Sequence, residues 1–258
     1  MSLNHLRTLP PEFGLVNQPV GTHSSRTIML TELSGLLAST TPGASYRHLQ
    51  EAATSHNAVR KSSATGRDKT FRHLREFYAL DSKVPVYAAL RGLWDFRSDE
   101  QPMLAVLCAS ARDPVLRASG EVILALPYGS TVAKADVEGH LSERFPGRYS
   151  DTVLPRTVRN LLSSWTQSGH LEGHLIKKRK KATAGPASAS YALFLGYLCG
   201  LRGEALFDTP WTGILDCSIS DVYTYAAEAS ARGLITYKRA GGIVDVDVTS
   251  LTPATEGV

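Results

Sequence analysis

Between about residues 24 and 126 apolar side chains recur at three- and four-residue spacing. Proline, glycine or an acidic cap cuts the pattern before any helix can grow long. That punctuation restricts the region to a packed set of short helices. Ile28, Leu33, Leu36 and Leu37 form the first stripe, over 27–39, and Thr41-Pro42-Gly43 breaks it. A second helix is expected over 46–54. A third, over 68–80, carries Phe71, Leu74, Phe77 and Tyr78 on its apolar side, with Arg67, Lys69, Arg72 and Arg75 around it. Residues 84–96 and 102–111 supply two more. Asp113-Pro114 reads as an N-cap followed by proline in the first turn, opening a helix that Pro127-Tyr128-Gly129 ends. The expectation is a bundle of about six helices. Residues 1–23, with Pro10, Pro11 and Pro19 and no sustained period, read as a flexible arm.

The segment 127–185 has a different order of elements. Ser130-Thr131 reads as the cap of a helix to about Arg144, and Phe145-Pro146-Gly147 as a turn. Ser150 or Asp151 then caps a longer helix to Ser168. At about 100° per residue, Leu154, Val158, Leu161, Leu162 and Trp165 share one face of it. Arg156, Arg159, Asn160, Ser163 and Gln167 share the other. Gly169 suits the left-handed position after a helix. Residues 170–176 then read as a first wing strand, and Lys177, Lys178, Arg179, Lys180 and Lys181 follow without interruption. Arginine and asparagine or glutamine match base edges, and a cationic wing matches phosphate. The expectation is a winged helix whose DNA-binding residues are the five on the helix face and the five in the wing. An ordinary solvated helix and loop remain the alternative.

Residues 186–258 repeat the order without repeating the sequence. An apolar helix over 191–201 is followed by one over 221–232, capped by Ser218 or Ser220 and ended by Gly233. Two strand-like runs, 234–237 and 243–248, flank Ala240-Gly241-Gly242, which is a hairpin signature. Asp245 and Asp247 on this second wing would repel phosphate, so a protein-facing or structural role is expected of it.

Charge follows the same division. Residues 127–185 hold 10 basic and 5 acidic residues, whereas 186–258 hold 4 and 8, within an overall net charge of +4. A polyanion would therefore select the middle segment. No run approaches the roughly 20 apolar residues of a membrane span, and the N-terminal stretch lacks a signal-like apolar core, so a cytoplasmic protein without membrane contact is expected. Cys108, Cys199 and Cys217 are far apart and read as reduced, mostly buried thiols rather than a zinc site. No nucleotide loop, HExxH or nucleophile elbow is present. Ser164, His170 and Asp151 can be drawn as a triad only without that elbow. Asp245 and Asp247 read as a polar edge before they read as a nuclease site. No catalytic residue, metal ligand or cofactor is expected.

The stretch 112–171, RDPVLRASGEVILALPYGSTVAKADVEGHLSERFPGRYSDTVLPRTVRNLLSSWTQSGHL, together with TFRHLREFYAL upstream, resembles the BrxA-type small proteins of BREX phage-defence systems. The resemblance spans about residues 24–181. It implies a helical, non-catalytic DNA-binding component, an N-terminal part similar to the NusB fold, and partners among the other defence subunits. The combined expectation is a mainly α protein in four parts: arm 1–23, helical bundle 24–126, basic winged helix 127–185 and acidic winged-helix-like module 186–258. Its partners would be double-stranded DNA and defence-system subunits. The rival expectation is an interaction scaffold whose winged helices dock only proteins.

Overall fold

A helix that is apolar on every side has to be surrounded, and two such helices set the architecture. In the computed structural model, which describes residues 9–19 and 21–252, α5 (Gln101–Arg112) is buried from Met103 to Ala111 and α9 (Pro186–Leu198) from Pro186 to Gly196. They pack against each other, and α3 (Ala64–Tyr78), α4 (Pro85–Trp94) and α11 (Ile219–Ala231) pack around them. The Tyr191 hydroxyl on α9 donates to the Val86 carbonyl on α4 at 2.7 Å. The start of α9 is held by Glu100, whose Oε2 accepts from the Ser188 N–H at 2.7 Å and its hydroxyl at 2.8 Å. A buried carboxylate at a helix N-terminus satisfies free N–H groups and complements the helix dipole.

The remaining helices are α1 (Leu30–Ala38), α2 (Tyr46–Thr54), α6 (Pro114–Ala125), α7 (Lys134–Arg144), α8 (Leu154–Gln167) and the short α10 (Pro210–Ile214). Two antiparallel hairpins complete the described residues: β1 (Leu171–Glu172) with β2 (Lys178–Arg179), and β3 (Thr236–Ala240) with β4 (Ile243–Asp247). The protein is mainly helical with small hairpins, as its periodicity implies. Gly241 and Gly242 both take positive φ, 55° and 84°, and close the second hairpin as the two-residue turn such strands prefer. Among the described residues no helix is long and apolar enough to cross a membrane.

Several boundaries differ from those read in the sequence, each for a local reason. Asp113 caps α6 as expected, accepting from the Val115 N–H at 2.8 Å. Ser130-Thr131, expected to open α7, instead pairs with the wing, and α7 begins at Lys134. The edge of a short hairpin offers Thr131 backbone partners that a frayed helix end does not. The α8 helix begins at Leu154, with a turn over 151–153 preceding it.

The arm is packed where it is described. Leu9 and Leu15 are buried, and the Val16 N–H bonds to the Ala111 carbonyl at 3.0 Å. Arg112 donates to the Gly14 carbonyl at 2.6 Å and Arg117 to the Val16 carbonyl at 2.8 Å. Two arginines thus satisfy an irregular backbone that forms no sheet. This corrects the expectation of a flexible arm for residues 9–19 and 21–23; residues 1–8 and 20 lie outside the described set. One apolar cluster runs from Leu9 to Val248, so the boundaries drawn at 126 and 185 fall inside a shared core.

His170, just after α8, joins the two winged modules inside that core. Its Nε2–H donates to the Ile214 carbonyl on α10 at 2.8 Å, and its Nδ1 accepts from the Ser168 hydroxyl at 2.8 Å. Its ring meets Trp165 edge to face at 4.9 Å. Burial pushes its pKa down to about 4, against the pull of the Ile214 carbonyl and Asp216. Above the ordinary imidazole value of about 6.5 neither folded nor unfolded protein is protonated here. Below it only the unfolded chain takes the proton, until the folded protein follows near pH 4. This residue should therefore lower unfolding stability by about 3 kcal/mol in total as pH falls through that window. Denaturant unfolding at stepped pH should show the decline, and His170→Gln should flatten it.

Candidate nucleic-acid interface

Helix α6, an edge strand at Thr131, α7, α8, β1, a turn and β2 follow one another in the order of a winged helix-turn-helix. Thr131 bridges to Lys178, Val132 N–H bonds to the Lys177 carbonyl at 2.9 Å, and Arg179 N–H bonds to the Ser130 carbonyl at 2.8 Å. The wing is therefore a small three-stranded ladder, with 177–179 in the middle. Trp165 and Val158 anchor α8 in the core, both fully buried, and the Trp165 indole N–H donates to Ser119 Oγ on α6 at 2.9 Å.

Strand geometry sorts the five cations. Successive side chains point to opposite faces, so Lys178 and Lys180 are exposed and Arg179 between them is buried at 2% exposure. The Arg179 guanidinium pairs in a two-pronged fashion with the Asp216 carboxylate, Nη1 to Oδ2 at 2.9 Å and Nη2 to Oδ1, and also donates to the His170 carbonyl at 3.1 Å. Asp216 further accepts from the Ala182 N–H at 2.9 Å and the Tyr128 hydroxyl at 3.1 Å. Asp216 lies between α10 and α11, so this pair fastens the basic wing to the C-terminal module. Arg179, expected to face phosphate, is a structural anchor. Lys181 is exposed, and Lys177 is half-buried with its Nζ on the Gly173 carbonyl at 2.6 Å.

The first wing strand is shorter than the expected 170–176. It ends at Glu172, and 173–176 form the turn. Gly173 has φ 90°, and a Cβ there would lie 2.2 Å from the Ile176 carbonyl oxygen, so the turn closes tightly because residue 173 lacks a side chain.

Helix α8 presents only part of its polar face. Residues 21–30 lie along it as a strap. Asn160 Nδ2 donates to the His23 carbonyl at 2.8 Å; Gln167 accepts from the Leu30 N–H at 3.1 Å and donates to Thr27 Oγ1 at 2.9 Å. Both amides, expected to face outward, are turned to the chain's own segment. Arg156 and Arg159 are exposed and Ser163 is half-buried. On the helical wheel the strap covers the Asn160–Gln167 edge and leaves the Arg156–Arg159 edge open.

Beneath the strap lies a group that sequence reading did not assemble. His23 Nδ1 is 2.5 Å from Asp113 Oδ2, and His23 Nε2 is 3.0 Å from Ser164 Oγ. The order serine, histidine, carboxylate is that of a hydrolytic relay. However, Ser164 Oγ already accepts the Ile28 N–H at 3.0 Å and donates to the Asn160 carbonyl at 2.9 Å, and all three side chains are buried at 1% exposure or less. A hydroxyl so engaged has no open face for a substrate. The arrangement clamps the strap between α6 and α8. Burial works to raise the Asp113 pKa, but His23 and the N–H groups of Val115 and Leu116 outweigh it and hold the carboxylate below its ordinary value. Asp113 was legible as a helix cap; its partner lies 90 residues away, a separation no local pattern marks.

On the second hairpin Asp245 and Asp247 are exposed. Asp245 stands opposite Lys238, and Asp247 accepts the Thr249 N–H at 2.8 Å. Among the described residues no three histidine, cysteine or acidic side chains come together as a metal-binding group. Neither a protein-family model nor a curated protein matches the chain.

Burial separates Arg179 from its neighbours in a measurable way. Arg179→Ala and Asp216→Ala should each cost about 3–5 kcal/mol of stability, because each leaves a buried charge without its partner. Lys178→Ala and Lys180→Ala should stay within about 0.5 kcal/mol. Denaturant midpoints of the four variants test the assignment.

Proposed function

We propose that this protein is a non-enzymatic, double-stranded DNA-binding protein that grips the phosphate backbone through its basic wing. Lys178 and Lys180 carry the contact, with Lys177 and Lys181 beside them and Arg156 and Arg159 on α8 extending it. The observation that supports this most strongly is the alternation from β2 into Lys180: Arg179 is turned inward against Asp216, while Lys178 and Lys180 on either side of it are exposed. At about 3.3 Å per residue the two ammonium groups spring from backbone positions about 7 Å apart on a fixed ladder. Such an array suits a repeating anion and releases counterions on binding.

Sequence pattern alone makes α8 a base reader. With Asn160 and Gln167 bonded to the strap, Arg156 is the exposed side chain best suited to a guanine edge, and phosphate contact supplies most of the affinity. The acidic balance of residues 186–258, with Asp245 and Asp247 outward on the hairpin, favours a protein-facing role for the C-terminal module. The resemblance over 24–181 supports a setting in a BREX-like anti-phage complex, in the cytoplasm and away from membranes, with other defence subunits on that acidic side.

The test is DNA retention against salt. Replacing Lys177, Lys178, Lys180 and Lys181 with alanine, and keeping Arg179, should weaken binding to all duplex sequences alike. The slope of log affinity against log salt should fall by about 0.9 for each phosphate that is no longer neutralised. A folded variant with an unchanged slope would remove the wing from the interface. Binding of partner proteins but not of duplex by the wild type would favour the docking scaffold instead.

A further inference from the structure

The most exposed large apolar side chains of the basic module sit together at the tip of its wing. Leu175 is 81% exposed and Ile176 64%. They are adjacent, and they occupy the turn between β1 and β2, where surface chains ordinarily place polar residues. The turn is not loose: the Gly173 and Ile176 backbones approach too closely for any side chain at 173, and Lys177 Nζ ties back to the Gly173 carbonyl at 2.6 Å. His174 on one side and Lys178 on the other are exposed. The tip is thus a narrow, braced apolar point with lysines on its β2 side and Glu172 on its β1 side.

An occupant must take up two apolar side chains while offering negative charge along the β2 side. That positive charge is not a single point. It runs through Lys178 on β2 and on through Lys180 and Lys181 beyond it, as a linear polyanion requires. Resting on the DNA reading above, we infer that Leu175 and Ile176 form a wedge that enters the minor groove and partly unstacks a base step, while the wing lysines hold the flanking phosphates. Apolar side chains inserted in this way kink duplexes, because the bent form meets more protein surface. The wedge also provides a preference without base-specific hydrogen bonds, since flexible pyrimidine–purine steps open most easily.

The experiment compares wild type with Leu175→Ser/Ile176→Ser, whose changes lie wholly at the surface. The probes are a short duplex carrying aminopurine beside a TA step and the same duplex with a dye at each end. Wild type should raise aminopurine fluorescence severalfold and shorten the end-to-end distance by a bend of about 20–90°. The double variant should abolish both signals, keep its salt slope, and bind within a few-fold of wild type. Salt-sensitive binding by wild type with neither signal overturns the wedge and leaves the phosphate grip standing. No binding by wild type overturns both. Anionic phosphatidylserine vesicles form a second arm. If the double substitution abolishes vesicle binding but leaves aminopurine fluorescence unchanged, the tip contacts a lipid surface and the wedge is overturned.

Discussion

The buried pairing of Arg179 with Asp216 is the constraint on which the exposed face of the wing depends. A guanidinium cannot be removed from water without a partner, and the geometry here gives it a carboxylate, a carbonyl and the ring of Tyr128 at 5.1 Å. Once Arg179 is fixed inward, the strand repeat directs Lys178 and Lys180 outward. The same carboxylate accepts the Ala182 N–H and the Tyr128 hydroxyl, so the entry to and the exit from the wing converge on one side chain. A few residues away His170 reaches the Ile214 carbonyl. Wing and C-terminal module are therefore joined by two buried polar links, and the lysines project from a fixed base. Long flexible cations on an unanchored loop would lose more conformational entropy on meeting phosphate.

A second constraint acts on α8. Its polar face is wide enough to lie in a groove, yet residues 21–30 bond along one edge of it, held by His23 between Asp113 and Ser164. The strap removes two amides suited to adenine and leaves two arginines suited to phosphate or guanine. In the proposed DNA-binding role, this would shift the balance from reading sequence toward gripping backbone. The two constraints act on the same face: Arg156, Arg159, Lys178 and Lys180 remain exposed, whereas Asn160 and Gln167 are engaged internally.

How much of this was legible in the sequence depended on range. Helix positions followed from apolar spacing because that signal is local: 46–54 matches α2 residue for residue, and Trp165 and Val158 are core as the wheel of α8 placed them. Gly241-Gly242 closes a hairpin because two residues alone determine that turn. The differences arose where distant partners decided. Ser130-Thr131 has the chemistry of a helix cap, but Lys178, far along the chain, offered it a strand. Five consecutive cations look equivalent until Asp216 selects one of them. Nothing near residues 14–16 signals that an irregular arm will be buried, because its carbonyls are satisfied by Arg112 and Arg117 from α5 and α6. The division of charge between 127–185 and 186–258 was legible, whereas the core that 186–258 shares with the helices of 24–126 was not, since α9 is buried against α4 and α5.

The central claim is that the anchored wing presents its lysines, and not the basic surface at large, to duplex DNA. Lysine acetylation read by mass spectrometry, with and without saturating duplex, measures this residue by residue on the intact protein. Lys178 and Lys180 should become protected on binding, while Lys69 on α3 and Lys238 on the second hairpin, both exposed, should keep their reactivity. Protection spread evenly over all four, or confined to Lys69 and Lys238, would contradict the account.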